Sequence, residues 1–267
     1  MARHTAKYAL RGAALLYLLM LLVLPVALIC WRTFEHGLGP VLSALGSPSA
    51  LHALRLTAIV AIAAVLANTV FGLGTALLLV RHRFPGRRAL SAVVDLPMAV
   101  SPVVVGLALV LVYGRFRPVG GWLAAHGIQV IFSIPGMVLA TVFVSLPLIV
   151  RAIVPVLEEI GDDQERAAHT LGASRWQAFV RITLPAIRWA LAYGVVLAFA
   201  RSLGEYGAVA VVSGNLVDRT QTLTLFVQER FQNFDQTAAY AASFALALIA
   251  VLTLVITNML RPKEDPK

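Results

Sequence analysis

Long apolar runs constrain the fold of this chain more than any other feature of its sequence. A helix needs about 20 predominantly apolar residues to cross a bilayer, and six regions of the chain reach that length. Hydrocarbon offers no water to unpaired backbone groups, so helices are the simplest way to span it. The pattern therefore predicts an all-α polytopic membrane protein with six transmembrane helices. The regions are roughly Ala13–Trp31, Leu56–Val80, Ala89–Val112, Gly136–Leu157, Trp189–Val212 and Ala238–Leu260.

Composition supports a membrane location and narrows the possible partners. Hydrophobic residues make up 59% of the chain and charged residues only 13%, against about 25% charged residues in soluble domains. Mean hydropathy is +0.83. The net charge of +9 does not indicate nucleic acid, because the basic residues stand at the ends of apolar runs and form no stripe with interleaved aromatic residues. The single cysteine, Cys30, excludes a disulfide within the chain.

The distribution of basic residues predicts the orientation. Lys and Arg near the ends of spans are retained in the cytoplasm. They concentrate before the first span, in the short loop after the second, in the long loop after the fourth and in the tail, which all lie on one side of a six-span chain. Both termini are therefore expected in the cytoplasm. These residues are Arg3, Lys7, Arg11, Arg81, Arg83, Arg87, Arg88, Arg166, Arg175, Arg181, Arg188, Arg261, Lys263 and Lys267.

One membrane domain is the simplest division of the chain. Residues 1–52 would form the N-terminal tail, the first span and an external loop, and residues 53–260 the core, with a cytoplasmic loop at 159–188. Residues 261–267 would be a cytoplasmic tail. The first apolar run lacks a small-x-small cleavage site and is interpreted as a retained signal-anchor helix.

A polar helical segment, Glu165–Pro185, interrupts the apolar sequence. Asp162 or Asp163 is placed to cap a first short helix, which Gly172 can end because glycine tolerates the left-handed conformation. A capping box formed by Ser174 and Gln177 would start a second helix at once. Leu184-Pro185 is then expected to stop this elbow and redirect the chain into the fifth span.

The composition of the elbow is typical of a surface that fits into a partner. Three alanines would let another backbone approach closely, and three larger apolar side chains would fill a pocket on that partner. The alternative is an amphipathic loop that lies on anionic headgroups. The small residues are Ala167, Ala168 and Ala173, and the larger ones Leu171, Trp176 and Phe179.

The elbow resembles the cytoplasmic loop of ABC importer permeases. Nine residues separate Gly172 from Ile182-Thr183-Leu184-Pro185, a spacing similar to that of the family. Further segments resemble the W-type permeases of sulfate/thiosulfate importers. Those segments are Asn68–Leu73, Asp95–Val104, His126–Phe132, Leu184–Val195 and Ala200–Gly214.

The resemblance implies a fold and a set of partners. The fold would be that of type I ABC importer permeases, in a bacterial inner membrane. The partners would be an ATP-binding subunit dimer, a second homologous permease of the T type, an extracytoplasmic sulfate/thiosulfate-binding protein and membrane lipid. ATP and Mg would be bound by the ATPase, with no cofactor on this chain. The implied docking residues are Glu165, Arg166, Ala167, Ala168, Leu171, Gly172, Ala173 and Trp176.

The elbow departs from the family pattern at one position. The family motif begins Glu-Ala-Ala, whereas Arg166 occupies the glutamate position here and Glu165 stands one residue upstream. Either Glu165 substitutes after a small rotation of the helix, or the partner offers an acidic residue to Arg166.

This chain is not expected to hydrolyse ATP or to catalyse any other reaction. A phosphate-binding loop needs Gly-Lys followed by Ser or Thr, and the only lysines, Lys7, Lys263 and Lys267, do not follow glycine. Serines occur within spans, but no histidine stands at helical spacing to serve as their base. The six histidines also lack metal-ligand spacing, so no metal site is expected.

Ionisable residues inside the spans are costly and call for an explanation. Arg201 is predicted near the midplane of the fifth span, with Glu205 one helical turn further on. The pair either fixes helix packing or lines a water-filled route in which Glu205 tempers the attraction of Arg201 for an oxyanion. Asp95, in the third span, is expected to meet a basic residue of a neighbouring helix.

Other candidates for the pathway wall are positions where a helix is softened or broken. They are Asn68 in the second span and Ser101-Pro102 in the third, and helix packing is the alternative explanation for each. The external segment Ser213–Gln236 is predicted to hold either a gate helix facing the binding protein or a cap over the bundle.

The function expected from the resemblance is that of a permease subunit of an ATP-driven sulfate/thiosulfate importer. A molybdate/tungstate permease is the nearest alternative, since these anions are similar tetrahedral dianions. An ion-coupled secondary carrier, using Asp95 and Glu205 as a proton relay, is a more distant one, because it would not need the docking elbow.

Overall fold

The computed structural model describes residues 2–260, and every regular element in that range is helical. The predicted tail 261–267 lies outside the described residues. Short π-helical segments join α1 to α2 at Leu19–Val23 and α10 to α11 at Phe179–Thr183. The α-helices are α1 (Ala2–Leu18), α2 (Leu24–Phe34), α3 (Leu38–Leu45), α4 (Pro48–Arg81), α5 (Arg87–Ala99), α6 (Pro102–Tyr113), α7 (Pro118–Ala125), α8 (Ile134–Ile160), α9 (Asp163–Thr170), α10 (Arg175–Ala178), α11 (Leu184–Leu203), α12 (Gly207–Ser213), α13 (Leu223–Gln232) and α14 (Gln236–Leu260).

Five of the described helical stretches are long and apolar enough to cross a membrane. The helices α5 and α6 supply a sixth span if this bent pair counts as one. The all-α membrane fold predicted from the apolar runs is therefore confirmed, with five to six candidate spans. The five stretches are Leu10–Phe34, Pro48–Arg81, Ile134–Ile160, Arg175–Leu203 and Gln236–Thr253.

The third predicted span is not one continuous helix. The chain bends by 114° between α5 and α6, at Val100 and Ser101. Pro102 has no backbone N–H to continue the ladder, and it disfavours the helical conformation of the residue before it. Ser101 accordingly has an extended ψ of 133°. The break predicted at Ser101-Pro102 is confirmed, although the apolar run Ala89–Val112 by itself does not report that the helix changes direction there.

The fifth predicted span also ends earlier than expected. A helical rod runs from Arg175 to Leu203 and stops at Gly204, and the chain resumes as the separate helix α12. Arg201 therefore lies in the last turn of its helix, not halfway along a helix that continues to Val212. Glu205 lies in the break between the two helices.

The helices α4, α8 and α11 form the centre of the bundle, and small residues bring their backbones close together. A Cβ added at Gly72 would lie 3.0 Å from Cγ2 of Ile149, and one added at Gly194 would lie 3.0 Å from Cβ of Ala152. Small residues at helix interfaces allow this close approach in membranes. One apolar cluster surrounds the N-terminal halves of α4 and α8, and a second surrounds their C-terminal halves and α11.

Helix α12 packs closely against α6, and the absence of a side chain at Gly106 makes this approach possible. A Cβ at Gly106 would stand 2.8 Å from Cβ of Val211 and 2.9 Å from the carbonyl oxygen of Ala208. The carbonyl belongs to the backbone and has little freedom to retreat. This contact holds the two short helices that follow the two breaks against each other.

We predict that Gly106→Ala destabilises the protein by about 1–3 kcal/mol through overpacking against α12. Gly74→Ala is the matched control, since a Cβ there meets nothing within 4 Å among the described residues. That control should be neutral, or stabilising by up to about 1 kcal/mol through helix propensity. Thermal unfolding midpoints in detergent measure both, and equal shifts for the two variants would contradict the close packing of α6 on α12.

Candidate functional site

The polar loop after α8 folds into the predicted elbow of two short helices. Gly172 has a φ of +86°, and its N–H bonds the carbonyl of His169 at 3.0 Å. The N–H of Ala173 bonds the carbonyl of Ala168 at 3.0 Å. These two bonds are the Schellman pattern, in which a left-handed residue satisfies the last carbonyls of a helix. The predicted role of Gly172 in ending the helix is confirmed.

The second helix of the elbow begins with the predicted capping box. The Ser174 N–H donates to Oε1 of Gln177 at 2.8 Å, and the Gln177 N–H donates to Oγ of Ser174 at 3.2 Å. The expected stop at Leu184-Pro185 does not occur. The π-helical turn Phe179–Thr183 and the position of Pro185 in the first turn of α11 carry the helix through without interruption. The second helix of the elbow is thus the first part of a rod of 29 residues, about 43 Å long.

The outer side of the elbow presents apolar side chains to the surroundings. Leu171 is 89% exposed and Trp176 is 71% exposed, and the Trp176 ring lies 5.6 Å from that of Phe179. No residue of α9 is buried within the described chain. Exposed apolar side chains of this size on a rigid frame are typical of a protein-binding surface.

Glu165 does not face outward with the rest of the elbow. Its Oε1 accepts hydrogen bonds from Nε and Nη2 of Arg81 at 3.2 and 2.9 Å, and from Oγ1 of Thr183 at 2.7 Å. Arg81 also donates to the carbonyl of Leu157 at 3.2 Å. This network, called here the Arg81 clamp, joins the C-terminal ends of α4 and α8 to α9 and to the π-helical turn.

The Arg81 clamp helps to interpret Arg166, which stands where the family motif has a glutamate. Arg166 pairs with Asp162 of its own helix, through Nη2 and Oδ2 at 2.7 Å, and its side chain is 72% exposed. Asp162 occupies the N-cap position, but the predicted side-chain cap bond is absent from the described structure. Glu165 therefore points into this subunit, and Arg166 remains on the surface, where a partner can reach it.

The two helix breaks within the membrane region meet each other. A Cβ added at Gly207, at the start of α12, would lie 3.1 Å from Cβ of Pro102, at the start of α6. Ser101, the residue before Pro102, is exposed. Non-helical backbone at membrane depth is tolerated where protein covers it or where it lines a water-filled cavity.

Arg201 and Glu205 lie at the second break. Nη1 of Arg201 is 2.7 Å from Oε2 of Glu205, an ion pair without hydrogen-bond alignment. The other carboxylate oxygen accepts the N–H of Ala208 at 2.9 Å, so Glu205 also holds the start of α12. The Glu205 side chain is 2% exposed, whereas that of Arg201 is 39% exposed. The guanidinium is therefore the accessible member of the pair.

Asn68 lies inside the bundle and not on its surface. Its Nδ2 donates to Oγ of Ser145 at 2.8 Å and to the carbonyl of Val142 at 3.1 Å, and the residue is 0% exposed. Oγ of Ser202 lies 3.4 Å from Oγ of Ser145. These polar groups join α4, α8 and α11 between the two apolar clusters. Of the two explanations for Asn68, this geometry favours helix packing.

The basic partner expected for Asp95 is Arg151. Nε of Arg151 donates to Oδ1 of Asp95 at 2.7 Å, and Nη2 bonds both Oδ2 of Asp95 and Oγ of Ser91. Arg151 was missed as a functional candidate, although a single arginine inside the fourth apolar run was visible in the sequence. Arg81 was counted only as a topological charge, because nothing local links it to Glu165.

The external segment after α12 is fastened to the same break. Oγ1 of Thr224 donates to the carbonyl of Glu205 at 3.0 Å, and the Tyr206 hydroxyl bonds Gln228. Helix α13 buries Phe226 against α4 and α14, and Phe234 beyond it is 86% exposed. The helix therefore covers the bundle with one face and leaves another free.

A family model described as "Binding-protein-dependent transport system inner membrane component" matches residues 68–265. The chain belongs to this family. The match covers both helix breaks, the Arg81 clamp and the elbow. The protein is thus a multi-pass inner membrane permease component with no catalytic role of its own. Among residues 2–260, no group of three His, Cys, Asp or Glu side chains is placed to hold a metal ion.

Several curated relatives match almost the whole chain. The "Sulfate transport system permease protein CysW" of Synechocystis sp. is 49% identical, over 96% of this chain and 93% of the relative. The CysW protein of Escherichia coli strain K12 is 46% identical over 96% of this chain and 88% of its own length. The "Sulfate transport system permease protein CysT" of the same strain is 38% identical, over 94% and 91% of the two chains.

A solved structure shows the same fold at low sequence identity. It is the crystal structure of a bacterial ABC transporter involved in the import of the acidic polysaccharide alginate. The TM-score is 0.80 at 20% identity, over 99% of this chain and 98% of the other. The fold is therefore that of an ABC importer permease.

We predict that the Arg81 clamp stabilises the elbow by about 1.5–3 kcal/mol, since its side chains are mostly buried and its hydrogen bonds involve charged groups. A double-mutant cycle with Arg81→Gln and Glu165→Gln, followed by thermal unfolding, measures the coupling energy. The exposed pair Arg166 and Asp162 is the control, for which the cycle should give about 0.5 kcal/mol or less. Equal coupling energies in the two cycles would contradict a structural role for the clamp.

Proposed function

We propose that this chain is the W-type permease subunit of an ATP-driven importer of sulfate and thiosulfate in a bacterial inner membrane. The observation that carries the proposal is the near full-length similarity to sulfate permeases, at 46–49% identity. An exposed apolar elbow on the predicted cytoplasmic side supports the ATP-driven mechanism, because a permease without an ATPase has no use for it.

The elbow is proposed as the docking site of the ATPase dimer, which binds ATP and Mg. Leu171 and Trp176 would enter a pocket of that partner, and Ala167, Ala168 and Ala173 would allow close approach. Arg166, free on the surface, would contact an acidic residue of the partner. The internal position of Glu165 argues against its replacing the family glutamate as an outward contact.

The mechanism proposed is alternating access driven through the rod. ATP-dependent closure of the partner would displace the elbow, and the continuous helix from Arg175 to Leu203 would carry that displacement to the break at Gly204. A helix of this length moves as one body unless a break interrupts it. The rod would therefore move the region in which α12, α6 and Arg201 lie next to one another.

The pathway wall is proposed to include Arg201, Glu205, Ser101 and Pro102. Arg201 exposes the guanidinium that a tetrahedral dianion requires, and Glu205 reduces its net charge so that the anion is released. The two adjacent breaks supply polar backbone at the same level. Asn68 is proposed to hold the helices behind this wall.

A second, homologous permease is proposed to complete the pathway. The Escherichia coli strain has both a CysW and a CysT relative of this chain, and the CysW relative is the more similar of the two. A heterodimer of W and T types explains why two related permeases occur together. The remaining partners would be a sulfate/thiosulfate-binding protein on the external face, near α13, and membrane lipid. Both termini would be cytoplasmic.

Sulfate uptake in a strain deleted for this gene tests the proposal. Wild-type chain should restore uptake, and thiosulfate but not molybdate should compete. Gly172→Asp should abolish uptake, because it forces a side chain into a left-handed position of the docking elbow. Gly37→Asp is the matched control, since Gly37 has the same φ of +86° and similarly open space but lies in an external loop. It should transport normally.

Two other outcomes would assign the chain to one of the alternative functions. Loss of molybdate accumulation in the deletion strain, with normal sulfate uptake, would assign the chain to molybdate/tungstate import. Uptake that persists without any copurifying ATPase would favour an ion-coupled carrier.

We predict that Arg201→Ala lowers sulfate uptake about tenfold or more, through loss of a charged contact to the anion, while copurification of the ATPase is unchanged. Arg32→Ala is the control, since Arg32 also pairs with a carboxylate, Glu35 at 2.9 Å, but at an exposed position away from the helix breaks. It should retain uptake. Loss of the assembled complex in Arg201→Ala would instead support the helix-packing role of the ion pair.

A further inference from the structure

A second cluster of arginines lies away from the elbow and the helix breaks. A cavity of about 270 Å³ opens between the start of α5 and the C-terminal half of α8. Its polar lining consists of Arg87, Arg88, Ser91, Arg151 and Glu158. Leu79 and Val154 contribute the apolar part. We call this cavity the α5–α8 pocket.

The charges in the α5–α8 pocket are not balanced. Arg151 is bonded by Asp95, and Arg87 approaches Glu158 only to 3.8 Å, with both side chains substantially exposed. Arg88 makes no ion pair or side-chain hydrogen bond with any residue between 2 and 260. Three guanidiniums thus face two carboxylates, and the unmatched positive charge is on Arg88.

The position of the α5–α8 pocket along the helices indicates its depth in the membrane. Leu79 stands two residues before the cytoplasmic end of α4, and α5 begins at Arg87 itself. By the distribution of basic residues, this is the cytoplasmic surface of the bilayer. About one and a half to two and a half turns further along α5 than Arg87 and Arg88, Val93 is 58% exposed and Leu96 is 47% exposed. The order from the surface inward is therefore cationic, then apolar.

We propose that the α5–α8 pocket binds the phosphate of an anionic phospholipid headgroup, such as that of phosphatidylglycerol. Arg88 and Arg87 would hold the phosphate oxygens with charge-assisted hydrogen bonds, and Ser91 would stand beside them. The acyl chains would lie along the exposed apolar side of α5. Basic pockets between transmembrane helices on the cytoplasmic side bind anionic headgroups in this way.

A free inorganic oxyanion has the same recognition chemistry. The exposed apolar residues below the pocket favour the lipid, because a soluble anion would gain nothing from them. The proposal does not depend on which anion the protein transports, and it is tested without a transport assay.

The test uses the full-length chain in nanodiscs of phosphatidylcholine with a minor fraction of phosphatidylglycerol, and native mass spectrometry to count retained phosphatidylglycerol. Arg88→Gln should lower its retention about fivefold, the effect of one basic residue at a membrane surface. Arg83→Gln is the matched control, since it removes one charge from the loop just before α5 but does not line the pocket. It should retain the lipid, as should Arg88→Lys.

Two results would overturn the proposal. Equal retention in Arg88→Gln and the wild type would show that the pocket does not select the headgroup. Displacement of phosphatidylglycerol by millimolar inorganic phosphate, with inorganic phosphate retained at the pocket, would identify a soluble anion as the ligand. Unfolding is not expected to obscure the result, since Arg88 is exposed and unpaired within the described residues.

Discussion

The fold depends on the inability of hydrocarbon to satisfy backbone polar groups. A break in a transmembrane helix exposes N–H and C=O groups, and each break must therefore be covered by protein or wetted by a cavity. This chain brings its two breaks together, with Pro102 on Gly207 and α12 held against α6 by Gly106. One covered region thus serves both breaks, and the rest of the bundle can consist of regular helices.

Three arginines of this molecule differ in how completely other groups of the chain pair with them. Arg81 is engaged by Glu165 and by a backbone carbonyl, so it acts as a structural clamp. Arg201 keeps its guanidinium accessible while its carboxylate partner is buried. Arg88 has no partner in the described chain. These three states correspond to the roles of stabilising the elbow, attracting a transported anion and attracting a headgroup, the last two being proposals.

The Arg81 clamp and the continuous rod together connect the elbow rigidly to the membrane bundle. The clamp fixes the elbow to the ends of α4 and α8, while the rod connects it to the break at Gly204. Turning Glu165 inward leaves the outer surface of the elbow to apolar side chains and Arg166. A partner that binds this surface would act on the membrane bundle through helical backbone and not through a flexible loop.

Local rules in the sequence were sufficient for several features. The apolar runs determined the membrane class, Gly172 the end of α9, and Ser174 with Gln177 the start of α10, because each depends on residues within a few positions of one another. Pro102 likewise indicated the break in the third span. Only the tertiary structure showed the 114° bend there and the break at Gly204, since hydropathy averaged over a window cannot detect a change of helix direction. It also decided that Glu165 binds Arg81, a residue 84 positions away, because such a pair depends on how helices pack and not on local sequence.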